Sequence, residues 1–367
     1  MSMTASKPID FQITHTSHAT APEKLAQILA NPGFGVHFTD HMVTIDWTVE
    51  KGWYDARVTP YGPLSLDPAA SVLHYAQEIF EGLKAYRHAD GSVWGFRVES
   101  NARRMQRSAH RLALPELPAA DFVESIKHFV QADASWVPSA PETSLYLRPF
   151  MISNENFLGV RAAKKAVYFV IGSPAGAYFS QGVAPVAIWV SQDFARAAYG
   201  GTGAAKCGGN YAASLLPQQE ASAQSCSQVL FLDSQENKYI EELGGMNVFL
   251  VTRDHTLITP ELTGSILEGI TRDSIIALAK ERGLKVIERK ISIDEWRDGF
   301  ASGDITEAFA CGTAAVVTPI GALKGRDFTA GDINKPAGEL TMSLRQALTD
   351  IQYGRAPDSH GWLTRLA

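Results

Sequence analysis

The residue with the strongest claim to chemistry is Lys206, in the stretch AAYGGTGAAKCGGNYAASLLPQQEA. It stands among five glycines, and an aromatic hydroxyl, that of Tyr211, follows five positions later. Glycine lets the backbone approach a bound group closely and turn sharply. In so apolar a setting desolvation favours the neutral amine, the form in which a lysine makes Schiff bases with carbonyl compounds. A solvated loop lysine is the alternative this stretch alone leaves open, because Gly-x-Gly elements are weak signals. A nucleotide phosphate loop is excluded, since no Gly-Lys followed by Ser or Thr occurs here.

A second element, KYIEELGGMNVFLV, sets Glu241 and Glu242 directly before a Gly-Gly turn and between apolar strands. A carboxylate that close to buried strand needs a partner. Strand alternation predicts that one of the two points inward and the other outward; a strand-edge acid facing water is the plainer reading. The pyridine nitrogen of pyridoxal phosphate (PLP) is a suitable partner, because a hydrogen-bonded acid keeps it protonated and makes the ring an electron sink. An anion-binding element is present as well. Gly269-Ile270-Thr271 opens a helix, whose unpaired N–H groups and dipole favour a phosphate.

These groups need a scaffold. A chain of 367 residues, 45% hydrophobic and 20% charged, is long enough for two domains with buried cores. The alternation of strand-like and helix-like segments predicts an α+β protein of two mixed domains. We expect a small N-terminal domain over 1–174, an interdomain connector over 175–187 and a large domain over 188–367 that carries Lys206. The first residues, rich in Ser, Thr, Ala and His, read as a loose arm of ~30 residues. Strands are expected within 38–57 and 92–97. Asp67-Pro68 followed by AASVLHYAQEIFEGLKAY predicts a helix, from its capping residue, its first-turn proline and its apolar spacing. Helices are also expected over 100–112, 119–132 and in GITRDSIIALAKERG, which ends in basic residues and a glycine.

Composition narrows the function. The net charge of −6 gives no global attraction to a polyanion, and the basic pairs Arg103-Arg104 and Lys164-Lys165 are too short for a nucleic-acid arm. Three scattered cysteines, Cys207, Cys226 and Cys311, suit neither a disulfide framework nor a metal site, and fit a reducing cytoplasm. The N-terminus lacks the pattern of a signal peptide, and no window spans a bilayer, so a soluble protein is expected.

Read in order, the blocks PGFGVHFTDHM, LHYAQEIFEGLKAYR, NARRMQRSAHRL, SLYLRPFMI, GAYF, GGTGAAKCGGNY, EELGGMNVF, GSILEGITRDSI and FACGTAAVVTPI resemble the branched-chain amino acid aminotransferases of PLP fold type IV across most of the chain. The resemblance implies that the active site lies at the domain interface. It implies that Lys206 binds the cofactor as a Schiff base and moves the proton, that Glu242 holds the pyridine nitrogen, and that Tyr211 bonds the phenolic oxygen. Arg104 pairs with the phosphate, helped by Ile270, Thr271 and Thr313, and Leu267 packs on the ring. Arginine suits a phosphate through its planar fork. Because Arg97, Arg103, Arg107 and Arg111 lie near, the choice of Arg104 rests on the resemblance.

The implied reaction is a reversible ping-pong exchange between leucine, isoleucine or valine and 2-oxoglutarate. One pocket must then be apolar and yet accept the distal carboxylate of glutamate. The resemblance lines it with Phe34, Tyr75, Phe80, Tyr146, Arg148, Val160 and Tyr178, with Tyr75 and Val160 reaching in from the partner in a homodimer. Taken alone, Phe80 and Val160 read as core. The α-carboxylate is implied at Thr313-Ala314 and near Gly245. Many relatives carry threonine where this chain has Gly245, and some carry Cys-x-x-Cys where it has Ala315 and Thr318, so no thiol switch is expected there. Other fold type IV enzymes, D-amino acid aminotransferase or aminodeoxychorismate lyase, share Lys206 and Glu242 and are the nearest rivals. A catalytically silent PLP-binding protein is a third reading.

Overall fold

The computed structural model describes residues 9–176 and 183–367. The chain forms two compact units, Met1–Tyr178 with Gln352–Ala367, and Phe179–Ile351. The expected division left everything after residue 188 in the second domain. Instead the closing residues join the first, because Leu363–Arg365 runs antiparallel to Val93–Phe96. The expected connector 175–187 overlaps the strands Lys165–Ala175 and Val186–Val190, and part of it lies outside the described residues.

The first unit is built on a nine-stranded sheet. Its path runs Phe11–Ile13, Gly52–Pro60, His41–Thr48, Lys165–Ala175, Ser144–Ile152, Leu83–Arg87, Val93–Phe96 and Leu363–Arg365, with Glu78–Phe80 also pairing to Ser144–Ile152. Helices Val98–Arg111 and Ala119–Ala132 pack together. The second of these buries Phe122, Ser125, Ile126, Phe129 and Val130, the spacing of one helical face.

Two expectations fail here. The start of the chain is tied down from Ile9 onward and is no loose arm: Ile9 N–H donates to Asp121, Phe11–Ile13 pairs in parallel with Gly52–Pro60, Thr20 is bound to Asp40, and Pro22–Ala30 is helical. The helix expected through AASVLHYAQEIFEGLKAY stops after Ser71–Tyr75, where Ala76 takes a left-handed conformation at φ 47°. The rest is strand, Glu78–Phe80 and Leu83–Arg87, both bonded to Ser144–Ile152. Backbone pairing across the sheet overrides a helical pattern that the sequence carries locally.

The second unit also holds a nine-stranded sheet, ordered Ile240–Leu243, Gln228–Leu232, Val186–Val190, Val316–Lys324, Ile305–Gly312, Asn247–Thr252, Leu257–Thr259 and Val286–Glu288, with Thr329–Gly331 beside Val316–Lys324. One face of it buries Ile188, Leu230, Leu243, Val248 and Leu323 with Trp296. Trp296 comes from helix Ile293–Ser302, which Ser292 caps by accepting from the Glu295 N–H at 3.1 Å. Ile270–Glu281 is helical, as its pattern predicts, and Glu339–Gln352 forms a further helix.

Candidate active site

Lys206 lies in the loop that leads into the short helix Gly208–Ala212. The loop is fixed from within. Buried Asn210 donates to the carbonyls of Thr202 at 2.8 Å and Ala205 at 2.9 Å, and its oxygen receives the Thr202 hydroxyl at 2.7 Å. A Cβ on Gly203 would lie 2.1 Å from the Ser265 carbonyl oxygen, so only glycine lets these two backbones meet. The Lys206 amine bonds the Tyr211 hydroxyl at 2.5 Å, five residues along the chain.

Glu242 sits on Ile240–Leu243 and is 2% exposed. Its Oε1 is clamped by Arg196, with Nη2 at 2.6 Å, and by the Leu267 N–H at 2.8 Å. Burial pushes its carboxyl above the usual carboxylate range, opposed by the Arg196 charge, the Leu267 N–H and the Lys206 ammonium. Arg196, itself buried, also bonds the carbonyls of Gly203 at 2.9 Å and Ser265 at 2.6 Å. One guanidinium therefore ties the lysine loop, the Ser265 loop and the acid together.

The expectation that one of the two adjacent acids faces water is wrong. Glu241 is 6% exposed and accepts a short hydrogen bond from the Ser265 hydroxyl. Alternation does send the two side chains to different partners, but both partners are inside. Tyr239 and Ile240 bridge to the Ile291–Ser292 segment, which covers this end of the sheet.

The expected anion-binding helix starts where the sequence placed it, with Gly269 as cap residue and Ile270 and Thr271 in its first turn. A Cβ on Gly269 would lie 1.9 Å from Asn247 Oδ1, while Asn247 Nδ2 donates to the Leu267 carbonyl at 3.0 Å. Asn247 thus fixes the loop carrying Leu267 from the strand opposite. Thr313 and Ala314 form the turn between Ile305–Gly312 and Val316–Lys324. That turn holds Val316 at φ 63°, a costly conformation for a β-branched residue and a mark of constrained backbone. Gly245 lies before the strand Asn247–Thr252, and a Cβ there would meet only Tyr211 Cε1, at an ordinary 3.7 Å.

In the first unit, Arg104 is buried on helix Val98–Arg111 and paired with Glu81, Nε to Oε1 at 2.8 Å and Nη2 to Oε2 at 2.7 Å. Asn101 adds a bond to Glu81 at 2.8 Å. Phe34, Phe80, Tyr146 and Arg148 form one cluster. Phe34 meets Tyr146 edge-on at 5.1 Å, and the Arg148 guanidinium lies 4.7 Å from the centre of the Phe80 ring and donates to the Tyr146 hydroxyl at 3.1 Å. Arg148 Nε is buried with no bonding partner. Tyr75 and Val160 stand apart from this cluster, 42% and 83% exposed, with the Tyr75 hydroxyl bonded to the Leu158 carbonyl. Tyr178 lies outside the described residues. Cys207, Cys226 and Cys311 are buried and reduced.

Arg196, Glu81, Asn247 and Ser265 were not singled out in the sequence. Two adjacent acids in an apolar strand do call for a buried cation, which is the signal that leads to Arg196. Glu81 lies in the segment that was expected to be helical, between the strands Glu78–Phe80 and Leu83–Arg87.

The donor set suits PLP: an amine beside a phenol, a buried carboxylate fixed on one oxygen, and a helix start with a threonine. Comparison with known proteins agrees. The amino-transferase class IV family matches residues 78–323. A branched-chain-amino-acid aminotransferase of Mycolicibacterium smegmatis is 54% identical, covering 98% of this chain and 99% of its own length. A probable branched-chain-amino-acid aminotransferase of Streptomyces coelicolor is also 54% identical, over 97% and 98%. Among solved structures, the branched-chain amino acid aminotransferase from Thermobaculum terrenum in its PLP form superposes with a TM-score of 0.71 at 26% identity, covering 88% of this chain and 98% of that one. The chain belongs to the class IV aminotransferases, in the branched-chain amino acid group.

Proposed function

We propose that this protein is a PLP-dependent transaminase that moves amino groups between leucine, isoleucine or valine and 2-oxoglutarate. The observation that carries the reading is the buried Glu242, held on one oxygen by Arg196 and Leu267, in the same unit as the Lys206–Tyr211 pair. PLP, when bound, supplies the electron sink that makes an amino acid Cα–H acidic. Lys206 anchors it and carries the proton to and from Cα. Tyr211 orients the lysine amine and bonds the phenolic oxygen. Glu242 keeps the ring nitrogen protonated, and burial together with the Arg196 clamp holds its carboxyl in one place to do so. Leu267 packs on the ring.

Arg104, anchored by Glu81, takes the phosphate with Ile270, Thr271 and Thr313. The substrate α-carboxylate lies at Thr313-Ala314 and Gly245. Phe34, Phe80 and Tyr146 supply apolar wall for a branched side chain, and Arg148 receives the distal carboxylate of glutamate. The pocket is completed by Tyr178 and by Tyr75 and Val160 of a second copy in a homodimer. The exposed apolar surface of Tyr75, Phe157, Leu158 and Val160 supports that assembly. No helix among the described residues is long and apolar enough to cross a membrane. We place the enzyme in the cytoplasm, where its reduced thiols are stable.

The test is a panel of amino donors with 2-oxoglutarate, scored by glutamate formed. Leucine, isoleucine and valine should be the good donors. Turnover confined to D-amino acids, or release of pyruvate from aminodeoxychorismate, would move the chain to another branch of its family.

A further inference from the structure

Glu241, the neighbour of the cofactor acid, lines a cavity of about 250 Å³ that the reaction does not use. Its floor is closed by Glu241, Ser265 and Ile266, all buried, and its rim by Tyr199 and Leu262, 70% and 41% exposed. Glu241 Oε1 takes the Ser265 hydroxyl, which is itself bonded to the Thr263 hydroxyl at 2.8 Å. Oε2 is buried with no hydrogen-bond partner.

A buried carboxylate oxygen without a partner is costly. Arg196 favours the Glu241 carboxylate through its charge but makes no hydrogen bond to it: its Nη2 is bonded to Glu242, Gly203 and Ser265. Nor does Lys290, which lies over the Tyr239 ring at 4.9 Å. Asp233 lines the cavity too, but its oxygens are taken by the N–H groups of Gln235, Glu236, Lys238 and Tyr239. Glu241 Oε2 is therefore the one buried carboxylate oxygen of this lining left without a partner, in a cavity lined as well by Leu262, Pro260, Tyr199, Tyr239 and the exposed carboxylate of Glu261.

We propose that this cavity is a second ligand site, and that it takes a small alkylammonium ion whose N–H bonds Glu241 Oε2 and whose aliphatic body lies against Leu262, Pro260 and the tyrosine rings. A metal ion is a poor fit. It needs several anionic or imidazole ligands, and no group of three or more His, Cys, Asp or Glu among the described residues could hold one. An ammonium needs one buried carboxylate, and aromatic rims favour cations. The ammonium can belong to a simple amine or to an amino acid, in which case Lys290 is placed to meet the carboxylate.

The test uses the holoenzyme and tertiary amines, which cannot form Schiff bases with the cofactor. Triethylammonium and N,N-dimethylglycine are titrated by calorimetry into the wild type, Glu241→Gln and Leu262→Trp. The proposal expects saturable binding of at least one probe at one site per chain, with a dissociation constant on the order of 1 mM. Glu241→Gln should weaken it at least ~10-fold by removing the charge. Leu262→Trp, which fills the cavity and leaves the acid, should weaken it as well and guards against a misfolded Glu241 variant. Dimethylglycine binding more tightly than triethylammonium would assign the site to amino acids; the reverse order would assign it to simple amines. Absence of saturable binding of either probe, or binding untouched by both substitutions, overturns the proposal. The outcome is independent of the transaminase assay, so the two readings fail separately.

Discussion

The region around Lys206 and the region around Arg148 are built on different plans. Around Lys206 a network of hydrogen bonds closes within one unit: Asn210 closes the loop, Arg196 joins the Gly203 and Ser265 backbones to Glu242, and Asn247 fixes Leu267, with Arg196 Nε and Glu241 Oε2 the buried atoms left over. Around Arg148 the groups are rings stacked loosely on a guanidinium with a buried, unanswered Nε, and Tyr75 and Val160 stand exposed. A site that must hold one cofactor in one pose benefits from being rigid before it arrives. A pocket that must accept leucine and then glutamate cannot satisfy its charge in advance. The difference matches the proposed division between residues that fix the chemistry and residues that select the substrate.

Removing the lysine should test the first plan hardest. Lys206→Ala is expected to lower turnover at least ~10⁴-fold, since on the proposed roles both the covalent anchor and the proton carrier are lost. The bonds that close the loop come from Asn210 and Arg196 rather than from the amine, so the melting temperature without cofactor should stay close to wild type. A large drop would mean that the loop is held by Lys206 itself.

Arg196→Met attacks the network and should read out in stability. It strips a buried carboxylate of its charge partner, which typically costs about 3–5 kcal/mol, measured by chemical denaturation. A loss under about 1 kcal/mol, roughly that of an exposed pair, would show that Glu242 is carried by the Leu267 N–H alone.

Arg148→Met addresses the second plan. The half-reaction with glutamate should lose ~2–5 kcal/mol of transition-state stabilisation, and the half-reaction with leucine little. Single-turnover spectra of the bound cofactor with each donor give the two numbers. Equal losses would make Arg148 a structural residue and erase the contrast drawn above.

The smallest effect is expected at Gly245. Its missing Cβ faces Tyr211 at an ordinary contact distance, so Gly245→Thr should fold with stability changed by less than ~1 kcal/mol. Any gain should appear as a lower KM for the amino acid, from a hydroxyl added near the proposed α-carboxylate site. A collapse in stability would show that the turn needs glycine for its backbone.

The lysine region was legible in the sequence because its signals are local: a lysine among glycines, acids before a Gly-Gly turn, a glycine opening a helix. What escaped was what depends on distant partners. Arg196 reads as an ordinary loop arginine until Glu242 is brought beside it. Glu241 reads as a solvent-facing acid until Ser265 and Ile291 cover it. Glu81 was misplaced for a related reason, since EIFEGLK follows helical spacing and becomes strand only because Ser144–Ile152 is there to pair with it. Tyr75 and Val160 show the limit from the other side, as exposed residues whose proposed role depends on another chain.

The return of Leu363–Arg365 to the sheet of the first unit bears on the order of events at the ribosome. Protein domains generally fold as they emerge, N-terminal first. Here the first unit must wait for a strand translated after the whole of Phe179–Ile351, which is continuous in sequence and can close without it. Until residue 365 has left the exit tunnel, the edge strand Val93–Phe96, with Trp94 and Phe96 on it, has no neighbour on one side. Unpaired edges of that kind invite pairing with other nascent chains. A chaperone that shields the segment during translation, or a slow stretch of codons before the closing strand, would therefore alter the yield of native protein through the unit that does not carry Lys206.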